Sequence, residues 1–253
     1  MRPWLGIDRS LDALNRLATE QQIRTESGKP LHFVAPATKD AYYEIKVYET
    51  GRVETRPDNL HDFFNALIWL AFPRSKARIN AMHAAEIPRE RGRRGRLRDL
   101  LTVFDEGGAI VECEDRGLIS LLEQMRWKEL FWEQRDRLRK GMRISIFGHA
   151  ALEKAAEPWP GIACKALIVR PGANLDAEVL GWLRERAWFS IVPVIFLCSE
   201  SHAHVHVACA LDPASFIVDR DNFDDLLDAL RNSLEPQNSV VALAAAIPQQ
   251  ARL

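Results

Sequence analysis

The sequence predicts an α+β (mixed α/β) protein, a single compact domain with a central apolar helix pair and a small mixed sheet. The helix pair is predicted by residues 61–87, HDFFNALIWLAFPRSKARINAMHAAEI, which are almost wholly apolar before Pro73 and amphipathic after it. A helix that is hydrophobic on every side belongs in the centre of a domain. Short strand-like runs interspersed with helical patterns along the rest of the chain predict the sheet.

Composition places the chain among ordinary globular proteins. It has 253 residues, 47% of them hydrophobic and 27% charged, with a formal net charge of −1. That charge disfavours a general binder of nucleic acid or of anionic membranes. We expect residues 1–235 to form one domain and residues 236–253, which lack a clear cap or period, to form a loosely packed tail.

Cysteine usage and apolar patterning predict a cytoplasmic location. Four cysteines are widely spaced and form no CxxC pair, which is typical of reduced thiols rather than of a disulfide framework. The first residues, MRPWLGIDRS, contain no apolar segment of a secretory signal. The longest apolar runs are far too short to span a bilayer, so we expect no membrane insertion.

Residues 11–99 are predicted to hold three helices and a hairpin. Leucines at helical spacing predict a surface helix over about 11–25. The run YYEIKVYETGRVETR (42–56) is interpreted as a hairpin that turns at Thr50-Gly51. Asp58 or Asn59 can cap the first helix of the central pair, and Pro73 suits the first turn of the second.

Residues 100–234 are predicted to mix strands and helices. The run LLTVFDEGGAIVEC (100–113) is interpreted as two strands joined by a bend at Asp105-Glu106-Gly107-Gly108. Helices are expected at 118–124 and 127–139, then a strand that enters a helix at Gly148. A strand at 164–170, a helix at 175–188, strands at 189–198 and 204–211, and a helix at 222–234 complete the prediction.

Polar residues on the central helix pair are the first candidates for catalysis. His61, Asn65 and Trp69 recur at i, i+4 and i+8, and a second stripe consists of Lys76, Asn80 and His83. If the stripes converge, His61, Asn65, Lys76, Asn80 and His83 offer a general base with an anion-holding partner. The alternative is that backbone groups satisfy Asn65 and His83 and that Lys76 is solvated.

An arginine-rich segment is the candidate for binding anions. From Arg89 to Arg98 there are six arginines against one glutamate, with two glycines and no apolar period, which predicts an exposed loop. A solvated linker is one interpretation, and a loop that contacts phosphate is the other, because guanidinium groups bind phosphate in a bidentate manner. The candidate anion ligands are Arg74, Arg93, Arg94 and Arg98.

Two groups of residues are candidate metal ligands. Asp105 and Glu106 at a bend, together with His149, form the first group, although D-E-G-G is also a good turn sequence on its own. His202, His204 and His206 form the second, because alternate residues of a strand point to one face. A half-exposed strand with a polar outer face explains that alternation equally well.

Three functional hypotheses remain open, since the sequence has no P-loop, GxGxxG, GxSxG, HExxH or CxxC motif. The first is a metal-assisted hydrolase of an anionic, phosphate-containing substrate, with His61 or His83 as base, Lys76 or Arg74 as anion clamp and a divalent metal as cofactor. The second is a non-catalytic module that binds nucleic acid or an acidic partner through Arg89–Arg98. The third is a structural interaction protein.

Three blocks resemble one known family. NLHDFFNALIWLAFPRSKARINAMHAAEI, RGRLRDLLTVFDEGGAIV and IFGHAALEK occur in this order over 43–158 and together resemble the bacterial domain-of-unknown-function family numbered 3025. The resemblance implies a cytoplasmic bacterial protein and brings no activity, cofactor or catalytic residues. It weakens after residue 162, so it does not support a family-wide role for the run of histidines.

Overall fold

A computed structural model describes residues 9–36, 42–90, 93–156, 162–185 and 191–196, and of 162, 163 and 191–196 it describes only the backbone. These residues confirm the α+β class, because they combine helices with a two-stranded and a four-stranded sheet. They divide into two compact units: a helical unit within Ile7–Glu106 and Asn174–Trp188, and a sheet unit within Gly107–Ala173 and Phe189–Leu253. The single domain over 1–235 stays a prediction, and the tail at 236–253 lies outside the described residues.

The helical unit is built from six α-helices and two short strands among its described residues. In chain order these are α1 (Leu11–Glu20), β1 (His32–Val34), α2 (Tyr43–Thr50), β2 (Arg52–Glu54), α3 (Leu60–Ala71), α4 (Pro73–Glu86), α5 (Arg96–Gly107) and α9 (Leu175–Glu185). A short 3-10 turn, Ile87–Arg89, follows α4. The strands β1 and β2 pair in parallel, with Phe33 opposite Val53.

The central helix pair forms as the sequence predicts. The side chain of Asn59 accepts a hydrogen bond from the backbone N–H of Asp62 and so caps α3. Pro73 occupies the first turn of α4, where its missing N–H costs nothing. At the same end of α4, the carboxylate of Asp176 accepts hydrogen bonds from the backbone N–H groups of Arg74 and Ser75, at 3.1 and 2.8 Å.

The predicted hairpin over 42–56 is wrong in its first half, which is the helix α2. Gly51 ends this helix in the left-handed region, at φ +73°, and its N–H donates to the carbonyl of Val47. A glycine in that conformation is a common helix C-cap. Val47 is the buried residue of α2. The β-branched content suggested a strand, but Gly51 is used as a cap rather than as a hairpin turn.

The predicted bend at Asp105–Gly108 is also wrong, because Asp105 and Glu106 lie in the last turn of α5. Leu101 and Phe104 are fully buried at helical spacing, and the apolar period of 100–104 is therefore helical. The two glycines mark the change from α5 to a strand rather than a turn between two strands.

The sheet unit contains the other elements. In chain order these are β3 (Gly108–Cys113), α6 (Arg116–Glu123), a π-helical segment (Lys128–Glu133), α7 (Arg135–Gly141), β4 (Met142–Ile146), α8 (His149–Ala156), β5 (Ile162–Val169) and β6 (Ile191–Phe196). The strand order is β4-β3-β5-β6, with β3 and β5 parallel and both outer pairs antiparallel. All six residues of β3 are buried, as expected for an interior strand.

The remaining sequence predictions have mixed outcomes. The strand that leads into α8, the strand β5 and the helix α9 are confirmed. The free thiols of Cys113 and Cys164 are both buried, whereas the strand at 204–211 and the helix at 222–234 lie outside the described residues. None of the helices in the described part of the chain is long and apolar enough to cross a membrane.

Substituting Gly51 tests the end of α2. A Cβ at Gly51 would lie 2.0 Å from the backbone oxygen of Pro30, whereas Gly28, at φ +81°, has open space around it. We expect Gly51→Ala to lower the free energy of unfolding by about 3 kcal/mol, from strain and a clash with backbone. Gly28→Ala, the matched control, should cost only about 1 kcal/mol because it adds the strain alone. Equal losses in urea unfolding would contradict this account.

Candidate functional site

Helix α4 carries a stripe of buried polar side chains. Lys76, Asn80 and His83 are 4%, 2% and 3% exposed, and they recur at the spacing that places them on one helical face. Burying such groups costs several kcal/mol unless each has a hydrogen-bond partner. The partners come from α2, α3 and α5, all within the helical unit.

Lys76 lies between α3 and α5. Its Nζ donates to Asp105 Oδ1 at 2.5 Å and to Asn65 Oδ1 at 2.9 Å. The same ammonium is 5.7 Å from the centre of the Trp69 ring, a cation–π distance. The side chains of Lys76 and Asp105 are 5% and 16% exposed, so this is a largely buried ion pair. Lys76 is therefore not solvated, which contradicts the part of the alternative that concerns Lys76.

Asn80 joins α4 to α2 through Glu44. Its Nδ2 donates to Glu44 Oε2 at 2.6 Å and to the backbone oxygen of Glu44 at 2.9 Å, and no donor is described for its buried Oδ1. Burial raises the pKa of the Glu44 carboxyl. The negative charge of Asp105 raises it further, while the bond from Asn80 and the charges of Lys76 and Arg98 oppose the rise.

His83 joins α4 to the start of α5. Arg98 donates from Nε to His83 Nδ1 at 3.3 Å and from Nη1 to Glu90 Oε2 at 2.6 Å. Burial lowers the pKa of His83 to about 4, and the positive charges of Arg98, Arg94 and Lys76 lower it too, against the opposing charge of Asp105. The imidazole is therefore neutral at pH 7.

Tyr43 brings the site to the surface. Its hydroxyl lies 3.5 Å from Asn65 Nδ2, a long hydrogen bond, and the residue as a whole is 38% exposed. Burial around the hydroxyl and the nearby charge of Glu44 raise the pKa of Tyr43. These side chains form three hydrogen-bonded groups, and charge effects on the pKa values of Glu44 and His83 relate the groups to one another. We use the name polar cluster for the three groups together: Tyr43, Glu44, Asn65, Lys76, Asn80, His83, Glu90, Arg98 and Asp105.

Several predicted site residues belong to this cluster and others do not. Asn65, Lys76, Asn80, His83, Arg98 and Asp105 are brought together. His61 is half-buried at the start of α3, where it lies near Asp62. Arg74 has an exposed side chain, and its backbone N–H donates to Asp176.

The arginine-rich segment differs from the predicted exposed loop. Arg96 begins α5, and Arg98 on that helix is largely buried, with its side chain only 13% exposed. Other arginines form ion pairs with neighbouring carboxylates, as in Arg89–Glu86 and Arg94–Asp99. Arg93 is exposed, and residues 91 and 92 lie outside the described part. The predicted anion ligand Arg98 therefore holds Glu90 and His83 instead.

The described residues do not assemble the predicted metal ligands. Within the described ranges, no group of three or more His, Cys, Asp or Glu side chains is placed to hold a metal ion. Asp105 is paired with Lys76, Glu106 is exposed, and His149 is buried in the sheet unit. His202, His204 and His206 lie outside the described residues.

Sequence reasoning missed Tyr43, Glu44 and Glu90. Tyr43 and Glu44 lie in the segment interpreted as a hairpin, so the contacts of Tyr43 with Asn65 and of Glu44 with Asn80 were not predicted. Gly51 was the signal in the sequence that could have identified α2, because glycine is a common helix C-cap. Glu90 is the single acidic residue among the arginines, and its position in the sequence does not indicate its role. Its carboxylate accepts hydrogen bonds from Arg98 and from the backbone N–H of Gly95.

Removing one member of the Lys76–Asp105 pair should destabilise the helical unit strongly. Lys76→Met removes the ammonium beside a carboxylate that has little access to solvent, and we expect a loss of about 3–5 kcal/mol in the free energy of unfolding. The double variant Lys76→Met/Asp105→Leu should recover most of that loss. Urea unfolding of the two single variants and the double variant measures the coupling free energy between the two side chains.

The control for this cycle is Arg89→Met, which breaks the exposed Arg89–Glu86 pair on the other end of α4. It should change stability by less than about 1 kcal/mol. Additive losses for the Lys76 and Asp105 substitutions would contradict the buried pair.

Comparisons with known proteins identify a family and nothing more specific. The family model described as "Protein of unknown function (DUF3025)" matches residues 31–191, which is more than half of the 253 residues and includes every member of the polar cluster. Neither the curated proteins nor the solved structures contain a match. The chain therefore belongs to the DUF3025 family.

Proposed function

We propose that this protein is an enzyme, a hydrolase of an anionic substrate, and that the polar cluster is its active site. One observation carries the proposal. The buried Lys76 and His83 of α4 and the partly buried Glu44, Arg98 and Asp105 of α2 and α5 act on one another through their charges. The pKa of the Glu44 carboxyl is raised and that of the His83 imidazole is lowered. Such opposite shifts are typical of sites that transfer protons.

Glu44 is the proposed general base. A base works best when its pKa lies near the working pH, and burial moves the pKa of Glu44 upward in that direction. The hydrogen bond from Asn80 holds the carboxylate in a fixed orientation. In this role Glu44 takes a proton from a water molecule that attacks the substrate.

Three cations near His83 motivate the choice of an anionic substrate. Lys76, Arg94 and Arg98 each lower the pKa of the buried ring, while Asp105 raises it. Each cation also forms an ion pair with a carboxylate of the chain: Lys76 with Asp105, Arg94 with Asp99 and Arg98 with Glu90. The proposed ligand is a phosphate-containing molecule, as predicted from the sequence, whose negative charge would exchange with one of these carboxylates.

The proposal assigns the chemistry of the cluster to its own side chains. Among the described residues the cluster has three carboxylates, and each has a side-chain partner: Asp105 binds Lys76, Glu44 binds Asn80 and Glu90 binds Arg98. The role that we propose for the site is proton transfer by side chains.

We also propose a bacterial cytoplasmic location, in keeping with the buried free thiols of Cys113 and Cys164. We do not advance a binding module built on Arg89–Arg98, because several of these arginines already hold carboxylates of the chain.

Hydrolysis of three anionic model esters tests the proposal: p-nitrophenyl phosphate, bis(p-nitrophenyl) phosphate and the half-ester of p-nitrophenol with succinic acid. We expect turnover of at least one, with a rate that rises with pH as the Glu44 carboxyl loses its proton. Glu44→Gln should lower kcat by about a hundredfold or more, since general-base catalysis contributes about 10²–10⁴-fold.

The control is Glu106→Gln, an exposed carboxyl on α5 next to Asp105 in sequence. It should leave the rate unchanged. No turnover of all three esters by the unaltered protein, or full activity of Glu44→Gln, would refute the proposed function.

A further inference from the structure

The hydrogen bond between Arg98 and His83 fixes the position of the imidazole hydrogen. A guanidinium group is always protonated and can only donate, so Nδ1 of His83, which lies 3.3 Å from Arg98 Nε, must be the acceptor. In a neutral ring the hydrogen is then on Nε2. Glu90 holds Arg98 in place from the other side, with its Oε2 2.6 Å from Arg98 Nη1.

The surroundings of His83 keep the ring in this neutral form. Lys76 on α4, Arg94 before α5 and Arg98 on α5 oppose a further positive charge, while Asp105 on α5 is the acidic group that favours one. Together with burial, the cations prevail, and the pKa of His83 falls to about 4. Protonation of Nδ1 would also require Arg98 to leave.

We infer that His83 is a neutral hydrogen-bond donor whose Nε2–H binds the substrate oxygen on which negative charge develops. Arg98 is the positioning residue that holds the His83 ring in this form. The substrate part of this inference rests on the proposed function. It reverses the role of general base that the sequence suggested for His83, because Nδ1 is blocked and Nε2 has no lone pair free in the neutral ring.

The two roles fit one balanced step. The water oxygen bonds to the phosphorus or carbonyl carbon while its O–H bond breaks and the proton passes to the Glu44 carboxylate. The electron pair displaced from the P=O or C=O bond moves to the oxygen that faces His83 Nε2–H. Departure of the nitrophenolate restores the double bond, and the proton on Glu44 returns to solvent or to the leaving group.

The inferred donor can be measured without any turnover. In ¹⁵N-labelled protein, two-bond ¹H–¹⁵N NMR spectra distinguish the ring forms, and the loss of one ring system in His83→Gln assigns the signals. At pH 7 we expect a neutral ring with hydrogen on Nε2. A charged ring, or hydrogen on Nδ1, would overturn the inference.

Arg98→Gln should raise the pKa of His83, since it removes a cation and the donor to Nδ1, and should mix the two neutral ring forms. The matched control is Arg93→Gln, an exposed arginine of the same segment, which should change neither property. An unchanged His83 ring in Arg98→Gln would remove Arg98 from the positioning role.

Inorganic phosphate is the ligand probe. Its addition to the unaltered protein should shift the His83 Nε2 signal in a saturable way, as expected when Nε2–H donates to an anionic oxygen. Absence of a shift would overturn the donor role whether or not the model esters are hydrolysed.

Where an ester is hydrolysed, His83→Gln should lower kcat by about 10²–10³-fold, the effect of losing one donor to a developing oxyanion. An unchanged kcat would refute the catalytic part of the inference. A saturable phosphate shift without turnover of any ester would refute the proposed function alone and leave His83 as an anion-binding donor.

Discussion

The buried ion pair between Lys76 and Asp105 is the interaction on which the helical unit depends. An ammonium from the first turn of α4 and a carboxylate in the last turn of α5 are held 2.5 Å apart with little access to solvent. Each charge offsets part of the cost of burying the other. The ammonium of Lys76 also donates a hydrogen bond to Asn65 and lies at a cation–π distance from the Trp69 ring, so α3, α4 and α5 all contact this one side chain.

The same pair acts on the charges of its neighbours. Burial is the largest cause of the raised pKa of Glu44 and of the lowered pKa of His83. Asp105 raises both pKa values, and Lys76 lowers both. Burial disfavours the charged forms of the Glu44 carboxyl and of the His83 imidazole, so placing these groups here costs stability. Polar residues at core positions are costly, and their presence here supports the chemical role that we propose.

The sequence predicted the parts of this site that depend on local periodicity. The spacing of Lys76, Asn80 and His83 on a helix that begins at Pro73 determines which face they share, and Asn59 was one of two predicted caps of α3. Tertiary contacts could not be predicted in the same way. The contact of Glu44 with Asn80 requires that α2 be a helix, whereas its β-branched residues favoured a strand. The sequence of the arginine-rich segment indicated that Arg98 is exposed, because its contacts with Glu90 and His83 are tertiary and leave no local pattern.

The central claim is that the polar cluster shifts the pKa values of Glu44 and His83 in opposite directions. An NMR titration of the unaltered protein, with the Glu44 carboxyl carbon and the His83 ring followed from pH 3 to 8, measures both directly. Our account predicts that Glu44 titrates above its ordinary value of 4.5 and His83 near pH 4 rather than 6.5. Two groups that titrate at their ordinary values would contradict it.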